Sequence, residues 1–406
     1  MSEKLIIRNF GPIENVELDL RKFNVIIGEN ATGKSTIAKV LAVCRYFSFI
    51  IDSDKFYFSG STSPFIQGLS LRGLGQFLKE DSYIFYECKH YSFLFQKYLG
   101  NVKVVDENGN SKTTGSTSVG TTKLTPISPE FKNLLLELEK ISPKPDIKGD
   151  YTTEDLSWTI PTSFYQNDVA SVLDNPFYLP TERGLQSIFS LGKDSIQNIS
   201  DSLFNELANL DLVAKIFKNE TLIEPFNVVY KNIDGRGYIK RNNEEQFYSL
   251  NNGASGYQST IPIVLVIKYY NQIRKKKKTF LVEEPELNLF PIAQNELVKF
   301  LGDNIFNFGN TIIITTHSPY ILTSLNNLMY AYQAGQNHES EIDKIVPKKY
   351  WINPTDVSAY MLLPNGKCES ILDKEGLIKT AKIDEVSGLL NKDFNEMFDI
   401  ELAIKK

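Results

Sequence analysis

Gly28-Glu29-Asn30-Ala31-Thr32-Gly33-Lys34-Ser35 is the stretch on which the reading of this chain turns. It fits G-x-x-x-x-G-K-[ST] at every fixed position. The run 23–27 before it is short and apolar, as a buried strand is. After it, Ile37, Val40, Leu41 and Cys44 recur on one face of a helix expected over 34–46. Strand, Gly-rich loop and helix in this order make a phosphate cradle. Gly28 and Gly33 let backbone N–H groups of the loop, with Asn30 and Thr32 between them, turn toward an anion. The helix start adds partial positive charge. Lys34 then reaches the β- and γ-phosphates, and the Ser35 hydroxyl ligates Mg²⁺. Thr36 is read as a weaker contact to an α-phosphate. The loop alone leaves the NTPase class open.

Three further stretches extend this reading. An apolar strand at 279–282 ends in Glu283-Glu284-Pro285-Glu286, which delivers carboxylates at the carboxyl edge of a sheet. Glu283 is expected to hold Mg²⁺ through water. Glu284 is expected to polarise an attacking water as general base. Glu286 is read as a solvent or dimer contact. Upstream, Asn252-Gly253-Ala254-Ser255-Gly256-Tyr257-Gln258-Ser259 precedes an apolar helix expected over 258–273. Small residues there suit an anion site, with Ser255 donating its hydroxyl and Gly256 allowing close backbone approach. An ordinary helix cap with Ser255 at the N-cap is the alternative. Finally, the strand 311–315 runs into Thr316-His317-Ser318-Pro319. His317 is read as a sensor of the γ-phosphate, with a satisfied structural histidine as the alternative.

The chain has 406 residues, a formal net charge of −5, 42% hydrophobic and 23% charged residues. That balance excludes wholesale disorder and a global field that coats nucleic acid. A local basic groove keeps nucleic acid open as a partner. No run approaches ~18 apolar residues, so no membrane span is expected. No apolar leader follows Met1, and a cytoplasmic location is expected. Cys44, Cys88 and Cys368 are scattered and odd in number, which reads as reduced thiols. The three histidines are too dispersed for a zinc site or an HNH nuclease. The basic run 274–278 reads as a solvated helix end, with a phosphate-contact patch as the alternative.

Strands are expected at 5–8 and 16–20 around the Gly11-Pro12 turn, at 177–180, and at 226–230 and 238–240 around Asp234-Gly235. A C-terminal hairpin is expected over 359–363 and 369–372 around Pro364-Asn365-Gly366. Helices are expected at 131–141, at 194–219 and from about 383. Residues 1–50 and 177–340 are read as two halves of one nucleotide-binding domain, and 341–406 as a hairpin and helical tail. Residues 51–176 are read as a largely helical insertion, its Gly/Ser/Thr-rich stretch 108–125 a mobile loop or hairpin.

Taken in order, the four motifs resemble an ABC-type ATPase head. More narrowly they resemble the SMC-like group that includes the ATPase part of OLD-family nucleases and the ATPase subunits of bacterial anti-phage systems such as Septu and PARIS. The opening Leu5-Ile6-Ile7-Arg8-Asn9-Phe10-Gly11-Pro12-Ile13 is similar to that group, as are 283–286, 316–319 and the signature-like 254–258. Tyr257 stands where a second glycine is common, and Glu283 where many members have Asp. Tyr178-Leu179-Pro180-Thr181-Glu182-Arg183 is similar to a family element and puts Arg183 near the site. Gln67 is a candidate for the family's Q-loop glutamine, a structural Gln being the alternative.

The resemblance implies an α/β ABC-type P-loop ATPase head with a mixed sheet core and an antiparallel β lobe. It implies ATP and Mg²⁺ as cofactors. It also implies a head-to-head homodimer, with higher oligomers open. In that dimer, ATP on Lys34 and Ser35 of one subunit is closed over by Ser255 and Gly256 of the other, and hydrolysis through Glu284 reopens it. The function implied is regulatory: an ATPase of an anti-phage complex that controls a separate effector, a nuclease or toxin. Residues after 340 carry no convincing paired-acid strand of the Toprim kind. The alternative is a DNA-repair or recombination ATPase acting on DNA; an ABC transporter subunit is discounted. Residues 51–176 are the expected surface for partner or trigger recognition.

Overall fold

The computed structural model describes residues 3–45, 57–59, 64–89, 91–105, 111–126, 176–185 and 201–379. The chain opens with β1 (Glu3–Phe10) and β2 (Ile13–Leu20), an antiparallel pair joined at Gly11. Along β2 the residues Ile13, Val16, Leu18 and Leu20 are buried and the others exposed, as a strand with one wet face requires. β3 (Phe23–Gly28), the phosphate loop and α1 (Lys34–Arg45) follow, then β4 (Tyr57–Ser59) and α2 (Pro64–Leu71).

β5 (Leu78–Glu87), β6 (Tyr91–Val105) and β7 (Ser111–Pro126) come next. With β1, β2 and β4 they form an antiparallel sheet in the order β2-β1-β5-β6-β7-β4. The expectation of a largely helical insertion is therefore corrected among its described residues: β5, β6 and β7 are long strands, and α2 is the one α-helix described between residues 51 and 176. Aromatic residues drive this. Phe93 and Phe95 alternate inward on β6 and pack on Phe65 of α2 with ring centroids 4.5 and 5.3 Å apart, a period-2 pattern that suits a strand. From Ser111 onward the Gly/Ser/Thr-rich stretch is strand β7, paired antiparallel with β6, Val105 opposite Ser111. The helices expected at 131–141 and from 383, and the start of the one expected at 194, lie outside the described residues.

The chain returns as β8 (Phe177–Leu179), a helical turn Thr181–Leu185, and α3 (Asp201–Ile216). β9 (Thr221–Ile223), β10 (Val228–Ile233), β11 (Arg236–Arg241) and β12 (Tyr248–Ser249) make a small antiparallel sheet, with Asp234-Gly235 at the tip of the β10–β11 hairpin. α4 (Ser255–Lys268) begins three residues earlier than its apolar pattern suggested, and runs into a π-helical turn that Lys275 closes at φ 51°. β13 (Thr279–Glu283), α5 (Pro291–Phe306), β14 (Thr311–Thr316), α6 (Pro319–Gly335), α7 (Glu339–Ile345), β15 (Val357–Leu362) and β16 (Cys368–Ser370) complete the described chain.

The core sheet has the order β16-β15-β3-β14-β13-β8 and is parallel except for β16. Its central strands are buried on both faces, hence their unbroken apolar runs. Phe23, Val25, Phe280, Val282, Ile312 and Ile314 face one core with α4, α5 and α6. Ile26, Leu281 and Ile313 face the other, with α1 and the antiparallel sheet. The register sets Glu283 beside Thr315, and Thr315 beside Ile26. The carboxyl ends of β3, β13 and β14 thus coincide, which is where open α/β sheets place ligands. The architecture is α/β, a P-loop fold with a mixed core sheet and an antiparallel lobe.

Candidate nucleotide site

The loop after β3 has the backbone its glycines were read to allow. Gly33 sits at φ +107°, and an added Cβ would meet Pro12 at 3.1 Å and Ile13 at 3.2 Å. At Gly28 an added Cβ would meet the Leu362 carbonyl at 2.7 Å. Any side chain at either position therefore displaces the loop. Thr32 is buried and its hydroxyl donates to Glu29 O at 2.9 Å; Asn30 is exposed. Lys34 is 6% exposed, and its Nζ donates to Gly28 O at 2.8 Å and Glu29 O at 2.7 Å. Burial holds its pKa below the usual lysine value, against the pull of Glu284, Glu286 and Glu283. Thr36 is buried on the first turn of α1.

The end of β13 supplies the acids. Glu283 is 3% exposed. Its Oε1 accepts from the Tyr178 hydroxyl at 2.6 Å, and the Ser35 hydroxyl is near enough to favour the charged carboxylate. Burial raises its pKa, with Tyr178, Lys39 and Ser35 opposing. Ser35, at the start of α1, and Glu283, at the end of β13, thus bring two hard oxygen donors to the same sheet edge. That set fits Mg²⁺, which takes few protein ligands and completes its shell with phosphate and water. Among the described residues no group of three or more His, Cys, Asp or Glu could hold a metal by itself.

Glu284 leaves the strand at φ 43°, a left-handed conformation that costs a non-glycine residue about 1 kcal/mol or more. Its N–H donates to Thr315 O at 2.8 Å. Its Oε1 lies 2.6 Å from His317 Nε2, a contact that needs a proton on one of the two atoms. The other ring nitrogen, Nδ1, is 3.1 Å from Gly28 O and 3.3 Å from Lys34 Nζ. Lysine, histidine and glutamate, read from three separate stretches, form one contact chain.

Two residues stand differently from the sequence reading. Glu286 is no free surface carboxylate: its Oε1 accepts from the Thr316 hydroxyl at 2.6 Å and from the His317 N–H at 2.9 Å. It fixes the turn that carries His317. The apolar run ahead of it gives no hint of this, because its partners come from β14. Ser255 is not an N-cap; Ala254 holds that position without a side-chain cap bond, and Ser255 is the exposed first residue of α4. Gly256 is buried, and an added Cβ would meet Asn288 O at 2.9 Å and Leu289 at 3.0 Å. Its close approach is to the chain's own loop after the acidic pair. Ser255 and Gly256 stand outside the Lys34–His317–Glu284 cluster. Gln67 lies on α2.

Among the described residues no helix is long and apolar enough to cross a membrane. The basic run 274–278 sits where the π turn ends; Arg274 and Lys278 lie over the rings of Tyr269 and Tyr270 at 5.8 and 4.9 Å.

The model of the AAA ATPase domain family matches residues 1–47 and 105–322, about two thirds of the chain. No curated protein matches the sequence. Similar solved structures include an SMC head bound to the C-winged helix domain of ScpA, at 11% identity, 91% of this chain, 97% of that chain and a TM-score of 0.40. The SMC head domain from Thermotoga maritima matches at 9% identity, 91% and 98% coverage and a TM-score of 0.39. An Smc head with an extended coiled coil, bound to the C-terminal domain of ScpA derived from Pyrococcus furiosus, matches at 9% identity, 96% and 98% coverage and a TM-score of 0.40.

Proposed function

The chain belongs to the AAA ATPase domain family, and on that premise we propose that it binds ATP with Mg²⁺ at the 28–36 loop and hydrolyses it. Lys34 and the loop amides hold the phosphates. Ser35 and Glu283 hold Mg²⁺, which when bound supplies neutralisation of the developing phosphate charge. Glu284 takes the proton of the attacking water, and His317 orients its carboxylate and senses the γ-phosphate. The observation that carries this reading is the contact chain from Lys34 Nζ through both ring nitrogens of His317 to Glu284 Oε1. Glu284→Gln is expected to bind ATP with hydrolysis reduced about 10²–10⁴-fold. Wild-type turnover in that variant places the base elsewhere.

The assembly proposed is a head-to-head homodimer, open to further oligomerisation. Ser255 is exposed at the start of α4, where the helix end suits a phosphate of the partner's nucleotide. ATP then favours the closed dimer and hydrolysis the open one. The role proposed is a cytoplasmic regulatory ATPase of a bacterial anti-phage complex. It controls a separate nuclease or toxin, with residues 51–176 as the surface for partner or trigger. The family resemblance of 5–13, 283–286 and 316–319 supports this role. The second reading is an SMC-like ATPase acting on DNA itself; the exposed stretch Arg274–Lys277 favours it. Pull-down of tagged Glu284→Gln protein expressed from its native operon, with mass spectrometry and sizing, separates the two. A stoichiometric second protein supports the regulatory role. A bare dimer that retains DNA, in a salt-sensitive way, supports the second reading.

A further inference from the structure

Arg183 is the largest fully buried side chain among the described residues, at 0% exposure. No carboxylate pairs with its guanidinium among those residues; carbonyl oxygens surround it instead. Nε donates to Ser259 O at 2.7 Å. Nη1 donates to Pro180 O at 3.0 Å and to Glu283 O at 2.6 Å, and Nη2 donates to Glu284 O at 2.6 Å. Burial pulls its pKa down to about 10, so the group stays charged at neutral pH. A buried charge held by four short bonds to backbone is a rigid fixture, because a guanidinium is planar and its donors keep fixed angles.

Three of the four carbonyls, all but that of Pro180 in its own turn, come from two functional elements. Glu283 and Glu284 are the acidic pair. Ser259 lies one turn into α4, the helix that opens with Ser255 and Gly256. The same turn is bound to the loop after the acids: the Ser259 hydroxyl donates to Leu287 O at 2.7 Å, and Gly256 packs on Asn288 and Leu289. Glu284 holds its left-handed backbone with Arg183 Nη2 on its carbonyl and Thr315 O on its N–H. A shift of the α4 start therefore moves the guanidinium, and with it the backbone that aims the Glu284 carboxylate.

We infer that Arg183 is a positioning residue that couples the two nucleotide sites of the dimer: it ties the helix start that closes on the partner's nucleotide to the acidic pair that acts on its own. This rests on the dimer reading above. Arg183 touches neither loop 28–35 nor His317 through its hydrogen bonds, so it acts through Glu284.

The test uses the full chain carrying Arg183→Lys, which keeps the charge but cannot bridge three carbonyls in one plane. The expected result is a kcat lowered 10- to 100-fold, a KM for ATP within threefold of wild type, and a Hill coefficient for ATP that falls from above 1 to 1. A folded variant with wild-type kcat and Hill coefficient overturns the inference. Should the variant fail to fold, hydrogen exchange on the Glu284→Gln protein decides. Peptides covering 255–268 and 280–288 are expected to gain protection together as ATP is added; independent responses overturn the coupling. A Glu284→Gln protein that stays monomeric with saturating ATP sinks the dimer reading. A protein that dimerises while Arg183→Lys keeps wild-type turnover sinks only the role of Arg183.

Discussion

In the antiparallel sheet, β5, β6 and β7 each pair with a neighbour in the chain. In the core sheet, strands beginning at 23, 177, 279, 311 and 357 pair in parallel with partners far away in sequence. The difference decides where chemistry sits. Parallel strands in register end at the same edge, so the residues just past one strand end meet those just past its neighbours. Gly28, Glu283, Glu284 and His317 meet that way. Hairpin strands alternate their ends and gather nothing comparable. The antiparallel sheet instead supplies a wall, Pro12 and Ile13 standing against Gly33.

Paired core truncations test that division most heavily. Phe280 of β13 and Phe93 of β6 are both 0% exposed, so alanine at either is expected to lower unfolding free energy by about 3–5 kcal/mol. Below its melting temperature, the Phe93→Ala protein is expected to keep its ATPase rate, whereas Phe280→Ala, three residues before Glu283, is expected to lose it. Equal loss of rate in both erases the contrast between the sheets.

A smaller effect is confined to the phosphate loop. Lys34→Ala is expected to weaken ATP binding by about 100-fold or more, the scale of charge-assisted hydrogen bonds lost to a buried anion, with the melting temperature nearly kept. Wild-type ATP affinity in calorimetry would remove the loop from the core sheet's site.

The smallest expected change sharpens the acidic end. Tyr178 bonds Glu283 and opposes the burial that raises its pKa. Tyr178→Phe removes that opposition, so the acid limb of kcat/KM is expected to move to higher pH. Stability has the same sign. Between the ordinary glutamate value of 4.5 and the raised one, the folded chain keeps a proton that the unfolded chain has released. Stability therefore falls as pH rises through that window. An acid limb that stays in place separates Glu283 from the rate.

Some of this is legible in the residues themselves. Strand, loop and helix at 23–45 need no distant partner to be recognised, because the φ demands of Gly33 and the apolar period of α1 are local. The acids after 280–282 and the histidine after 311–316 are legible as strand ends. The strand β7, 111–126, is not legible as strand throughout. Its glycines, serines and threonines have turn chemistry, and only pairing with β6 extends them. Glu286 escapes a local reading because its carboxylate finds its donors around the end of another strand, and at Ser255 the cap that stood as the alternative reading is set aside because Ala254 takes that position.

The sequence by itself determined a P-loop strand–loop–helix and two apolar strands that end in ionisable residues, since those signals lie within a few neighbouring positions. Only the tertiary structure decided that these ends share one sheet edge, that Glu286 serves His317, and that Arg183 bridges the Ser255 helix to the acidic pair. The physical reason is that a buried hydrogen-bonding group must find a partner. When that partner is a backbone carbonyl, as for all four of Arg183's, it leaves no residue-type signature in the sequence.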